Sequence, residues 1–177
     1  MMTDLLGSTP SQTVGPFLAI GLDWADGPEL VPDGTPGAVV LTGSVVDGAG
    51  EVVPDGMVEI WQADPSGRFG ASTDFRGLGR SMTDASGTYW FRTLLPGATD
   101  DEAAPYIAVS IFARGLLKHL VTRIYLPDEV AVNAADPVLR TLDDSDRRAL
   151  TARWDGDGRL VFDIRLQGPG ETPFFEV

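Results

Sequence analysis

The chain contains one histidine, His119, and no cysteine, and these two counts limit the chemistry its own side chains can carry out. Without cysteine there is no disulfide, thiolate nucleophile or thiolate-bound metal. With one histidine, no site needing two imidazoles from this chain can form, which removes most zinc and non-haem iron sites built by it alone. A serine–histidine–acid triad would have to use His119. That residue falls inside an apolar run and reads as a packed core histidine. Carboxylates are plentiful, but no spacing among them singles out an acid/base pair, and they read as solvated surface. The DGDG run at 155–158 is too short for a calcium loop. One cation stands out. Arg114, in Ala113-Arg114-Gly115, interrupts an apolar run beside a glycine. A long side chain there can leave the core and reach a ligand, or it can be an ordinary solvated turn residue.

The run around it, 104–126, is the most apolar long stretch and the centre of the chain. Ile107, Val109 and Ile111 alternate with Tyr106, Ala108, Ser110 and Phe112, a period of two that predicts a β-strand. Both faces are fairly apolar, which places the strand in the middle of a sheet. After Gly115 a second alternation, from Leu117 to Tyr125, predicts another core strand that includes His119. Further strands are expected over VVLTGSVVD, MVEIWQAD and Thr88–Thr93. Arg68 to Arg80 is polar and glycine-punctuated and reads as a long loop. Leu160, Phe162, Ile164 and Leu166 form one face of a last strand.

Turns separate these runs. Asp64-Pro65-Ser66-Gly67 has each residue where a tight turn favours it, and Asp155-Gly156-Asp157-Gly158 reads as a hairpin turn. Helix is expected only after Leu126: a short turn through Ala135, and a helix from about Ser145 to Ala152 with acids ahead of it and arginines within it. Phe174 and Phe175 near the C-terminus must pack on this chain or on a partner. The expected fold is therefore all-β, a sandwich of about seven to eight strands with one or two short helices. Residues 1–37 read as an arm and loop, and 38–177 as the sandwich domain.

The 177 residues are enough for one core, and the formal net charge is −13. Such an acidic chain is expected to bind neither nucleic acid nor an anionic membrane surface. The first dozen residues lack the basic region and apolar stretch of a signal peptide, and no window is apolar enough to span a bilayer. A cytoplasmic location is the expectation.

Five separated stretches carry a resemblance: TPSQTVGPF, GSVVDGAGEVVPDGMVEIWQAD, GRSMTDASGTYWFRTLLPG, APYIAVSIFARGLLKHLVTRIY and FDIRLQGPGETPFFEV. Together they resemble the intradiol ring-cleaving dioxygenases of the protocatechuate 3,4-dioxygenase family, and within it the α subunit, in order and over nearly the whole chain. The resemblance implies a β-sandwich and a role in aromatic catabolism through the β-ketoadipate pathway. It also implies a β-subunit partner that binds Fe(III) with two tyrosines and two histidines, and a small aromatic substrate opened by oxygen between its hydroxyl-bearing carbons.

Carried over residue by residue, the resemblance puts Tyr106 and Ala108 at the two histidine places and Thr99 at one tyrosine place. The loop Gly70 to Gly79, which matches the other, has no tyrosine. Fe(III) is thus implied to belong to the partner and not to this chain. The α-subunit pattern usually has histidine where Tyr106 stands. The arm TPSQT-x-GP implies that Thr13, Gly15 and Pro16 line the substrate pocket, and the FARG motif implies that Arg114 reaches it. The remaining alternatives are a transthyretin-like binding module, since sandwiches host many functions, and a structural protein without a catalytic partner.

Overall fold

In a computed structural model, residues 8–72 and 74–176 are described. The first seven residues of the expected arm lie outside them. The architecture is two packed sheets. One is built on β1 (Val39–Val46) and β4 (Thr88–Thr93), joined by three two-residue strands, β7 (Arg153–Trp154), β8 (Leu160–Val161) and β9 (Ile164–Arg165). The other has the order β3-β2-β5-β6, with β2 Met57–Gln62, β3 Leu78–Met82, β5 Tyr106–Phe112 and β6 Leu120–Tyr125. The strand β5 lies between β2 and β6, in the interior position that its two apolar faces predict.

Alternation builds the core. Ile107, Val109 and Ile111 of β5 are buried, as are Val58 and Ile60 of β2 and Leu41 and Val45 of β1. These side chains pack with Tyr89, Phe91, Leu160 and Ile164 between the sheets. Burial of each such side chain contributes about 1.5–3 kcal/mol. The terminal aromatics pack on this chain: Phe174 against the main core, and Phe175 against a second cluster around Tyr125, Leu139 and Leu150.

Three expectations about strands and loops need correction. The 68–80 loop ends early, because β3 begins at Leu78 and pairs with Trp61 of β2. The glycine at 79 lets this strand close on Leu30, where a methyl group would clash. The last amphipathic strand is split. The Phe162 N–H still donates to the Thr42 carbonyl at 2.9 Å, but from its carbonyl onward the backbone leaves the ladder: that carbonyl accepts from the Tyr89 hydroxyl at 2.6 Å, and Asp163 Oδ1 accepts from the Ser44 N–H at 3.0 Å. A side-chain carboxylate thus takes the place of a ladder carbonyl. Finally, β6 starts at Leu120, so His119 is not in the core. It is exposed in the connecting loop, stacked on Phe112 with ring centroids 5.2 Å apart.

The helices are short. The first, α1 (Phe17–Gly21), was not expected and buries no residue. The second, α2 (Val130–Ala135), stops before Asp136-Pro137. The third, α3 (Asp144–Ala149), is capped by Asp143, whose carboxylate accepts from the Asp146 N–H at 2.9 Å.

Four connections share one design. Asp47, Asp64, Asp84 and Asp155 each use Oδ1 to accept from the N–H groups two and four residues ahead, at 2.8–3.0 Å. The residue three ahead is always a glycine with positive φ, Gly50, Gly67, Gly87 or Gly158. Any other residue would be strained there.

Candidate substrate-facing site

Register explains how the candidate residues meet. Met57 at the start of β2 pairs with Phe112 at the end of β5. The turn before β2 and the turn after β5 therefore lie at the same end of the sheet. The first carries Asp55 and the second carries Arg114. The first is held by Thr83, whose hydroxyl accepts from the Gly56 N–H at 2.9 Å and donates to the Val53 carbonyl at 2.6 Å. The second needs Gly115, with φ of 93°.

The arm crosses this end. Thr13 Oγ1 accepts from the Gly115 N–H at 2.7 Å, tying the arm to the turn that bears Arg114. Past this contact Val14, Gly15, Pro16 and Leu18 line a small cleft of about 180 Å³ with Asp55 and Arg114. Arg114 Nε forms an ion pair with Asp55 Oδ2. The four residues singled out in the sequence, Thr13, Gly15, Pro16 and Arg114, thus come together although about a hundred residues separate the arm from Arg114. Asp55 is the member that sequence reasoning missed. Its signal was the Pro54-Asp55-Gly56 turn leading into β2, which acquires meaning only once β2 is paired with β5.

The surroundings are open and apolar. Phe17, Ile20 and Leu117 are 77, 74 and 62 % exposed. A second groove of about 380 Å³ runs beside the arm, lined by Val14, Phe112, Leu116, Leu117 and His119. A roomier cleft of about 480 Å³ lies near α2 and α3, against Val130, Leu139, Arg140 and Arg147, and holds none of the residues the sequence singled out.

The described side chains of this chain do not fit an Fe(III) centre. Fe(III) takes phenolate, imidazole and oxygen donors brought to one point. Burial pushes the Tyr89 phenol far up, and its hydroxyl is engaged by the Phe162 carbonyl. Burial also pushes Tyr125 up to about 12, and its hydroxyl lies 3.2 Å from Asp136 Oδ1. Tyr106, at one of the implied histidine places, has the Arg123 guanidinium 4.1 Å above its ring, a fixed cation where a metal ion would be repelled. His119 sits beyond the opposite end of β5, roughly 20 Å along the strand from Tyr106. Thr99 is exposed in a loop. Among the described residues no group of three or more His, Cys, Asp or Glu side chains converges, and no helix is long and apolar enough to cross a membrane.

Comparison with known proteins gives the family of the chain. A family model described as Dioxygenase matches residues 15–168. The protocatechuate 3,4-dioxygenase alpha chain of Burkholderia cepacia is 43% identical, over 97% of this chain and 98% of that one. The beta chain from the same organism is 34% identical, over 76% of this chain and 66% of that one. Alpha and beta chains are thus separate proteins related to this one. Among solved structures, the dioxygenase domain of a dioxygenase–carbohydrate-binding protein fusion from Streptomyces sp. SirexAA-E superposes with a TM-score of 0.64. It is 26% identical and covers 96% of this chain and 97% of that one. These matches favour the dioxygenase reading over a transthyretin-like binding module. With a full-length match to alpha chains, a shared sandwich, and the arm and FARG motif meeting at one cleft, the chain belongs to the intradiol dioxygenases, a family of iron-dependent oxidoreductases.

Proposed function

We propose that this chain is the alpha subunit of a two-chain protocatechuate 3,4-dioxygenase. It forms one wall of the substrate pocket, while a beta subunit supplies Fe(III) and its four ligands. When bound there, the metal supplies the activation of the dihydroxylated ring for attack by oxygen. The product is 3-carboxy-cis,cis-muconate, and the setting is cytoplasmic aromatic catabolism by the β-ketoadipate pathway, with no nucleic-acid or membrane partner. The cluster of Thr13, Gly15, Pro16 and Arg114 at one sheet end, on a chain whose tyrosines and histidine do not converge, carries this reading.

The residues of this chain bind and orient. Gly15 and Pro16 present backbone and a compact ring, which let an aromatic ring approach closely. Thr13 anchors the arm to the 113–115 turn, so the wall is held in place. Arg114 offers a fixed positive charge to the substrate carboxylate, worth most once a partner has covered the cleft and removed water. The exposed Phe17 and Ile20, which follow the arm in sequence, and Leu117 of the neighbouring groove offer apolar surface that suits burial against a beta subunit.

Purification alone and with a co-expressed beta subunit tests the proposal. The lone chain should contain no stoichiometric iron and cleave no catechol, whereas the complex should contain iron and cleave protocatechuate. In the complex, Arg114→Ala should lower kcat/KM for protocatechuate with iron content intact. One charge-assisted contact is worth about 1.5–3 kcal/mol, so the loss should be roughly tenfold or more. Stoichiometric iron in the lone chain, or an unchanged kcat/KM, would overturn the assignment.

A further inference from the structure

The ion pair at the cleft is asymmetric. Asp55 approaches Arg114 at Nε, while Nη1 and Nη2 make no hydrogen bond and the guanidinium has no acidic partner other than Asp55 among the described residues. A guanidinium held this way keeps its outer edge, the two Nη groups, free to meet a second carboxylate in a forked pair. Asp55 can hold it because its own turn is fixed at both ends by Thr83. Arg114, by contrast, is 68 % exposed along its side chain and has no other anchor among the described residues. Its orientation therefore depends on Asp55. We propose that Asp55 is a positioning residue that aims Arg114 at the substrate carboxylate, and so sets the preference for carboxylated over uncarboxylated catechols. This rests on the cleft being part of the substrate pocket, as proposed above.

Two effects of Asp55 oppose each other. Its negative charge repels an anionic substrate, and its grip on Nε orients the donors that bind it. The repulsion acts across the Arg114 guanidinium, whose positive charge lies between the two carboxylates and offsets it. The orienting contact is a direct ion pair between adjacent groups. Orientation therefore wins, and removing Asp55 weakens the binding of a carboxylated ring although it removes a repulsive charge.

The test uses the complex with its beta subunit. Dissociation constants for protocatechuate and for catechol are measured by anaerobic titration, so that no turnover intervenes. Asp55→Asn should weaken protocatechuate binding roughly three- to tenfold, with catechol changed less than about twofold. Asp55→Glu should restore most of the preference, because it returns a carboxylate to the guanidinium. Asp55→Ser serves as a second variant and should behave like Asp55→Asn. Arg114→Gln should reduce the preference at least as far. If Asp55→Asn and Asp55→Ser leave the ratio of the two constants unchanged while Arg114→Gln lowers it, the positioning role is wrong and the pocket assignment survives. If Arg114→Gln also leaves the ratio unchanged, the cleft does not face substrate and both fail. Equal weakening of both ligands by the Asp55 variants would make Asp55 merely structural and overturn the inference.

Discussion

Replacing Asp136 with asparagine should destabilise the fold by an amount that can be worked out bond by bond. Asp136 follows α2 and is 1 % exposed. Its Oδ1 accepts from the Val138 N–H at 2.9 Å and the Leu139 N–H at 3.0 Å, and lies 3.2 Å from the Tyr125 hydroxyl. Its Oδ2 accepts from the Ala104 N–H at 3.0 Å. One buried carboxylate thus ties together the segment leading into β5, the end of β6 and the 136–139 turn. Asparagine keeps one oxygen. That oxygen best serves the three donors at Oδ1, which turns the amide NH2 against the N–H of Ala104. A charge-assisted bond is lost and a buried donor is left without an acceptor. Each description gives about 1.5–3 kcal/mol, and because they overlap the total is about 2–4 kcal/mol. For a domain of this length each kcal/mol moves Tm by about 2–4 °C, so the fall should be about 4–16 °C. Thermal unfolding followed by near-ultraviolet circular dichroism measures it. Asp136→Ala should be worse, since all four donors lose their acceptor, and Tyr125→Phe milder. A Tm for Asp136→Asn within about 2 °C of the parent would refute the reasoning.

Other perturbations separate pocket from scaffold. Gly15→Leu has open space around it in the lone chain, so stability should stay within about 0.5 kcal/mol. In the complex, KM for protocatechuate should rise, and an unchanged KM would remove Gly15 from the pocket wall. Gly43→Ala should cost at least about 2 kcal/mol in urea unfolding, because a methyl group there falls well inside contact distance of the Phe162 carbonyl. Stability should also decline as pH drops through the acidic range. Hydrogen bonds from Ser66, from Ser86 and from the Arg159 backbone hold Asp64, Asp84 and Asp155 below the ordinary carboxylate range. A depressed folded-state pKa gives stability that is present above the unfolded value and lost as pH falls through the folded one. Urea midpoints measured from pH 6 down to about pH 3 should show this, and Asp84→Asn should flatten the slope.

Local signals in the sequence were reliable where the cause of structure is local. The alternation in 106–112 reports one strand's two faces, and Asp143 ahead of α3 reports a cap; both are decided within a few residues. The misreadings concern partners distant in sequence. The break at Phe162–Asp163 exists because Ser44 and Tyr89 reach it from β1 and β4. The loop position of His119 follows from where β6 stops pairing with β5, at Leu120, and not from its apolar neighbours. The candidate site was legible in part because Thr13, Gly15, Pro16 and Arg114 lie in recognisable motifs. Asp55 also lies in one of the resembling stretches, but no role attached to it there, because that role depends on the Met57–Phe112 register.

The four aspartate turns bear on how the protein meets its substrate from a distance. Their carboxylates supply four of the negative charges behind the net value of −13. The turns use those groups as oxygen acceptors, a task an asparagine oxygen also performs. Asparagine at all four positions would keep the acceptors and bring the net charge to −13 + 4 = −9. The long-range field that slows an approaching anion is thus partly a by-product of turn chemistry. In the quadruple variant, association with an anionic aromatic acid should quicken at low ionic strength, and the gain should vanish as added salt shortens the reach of the field.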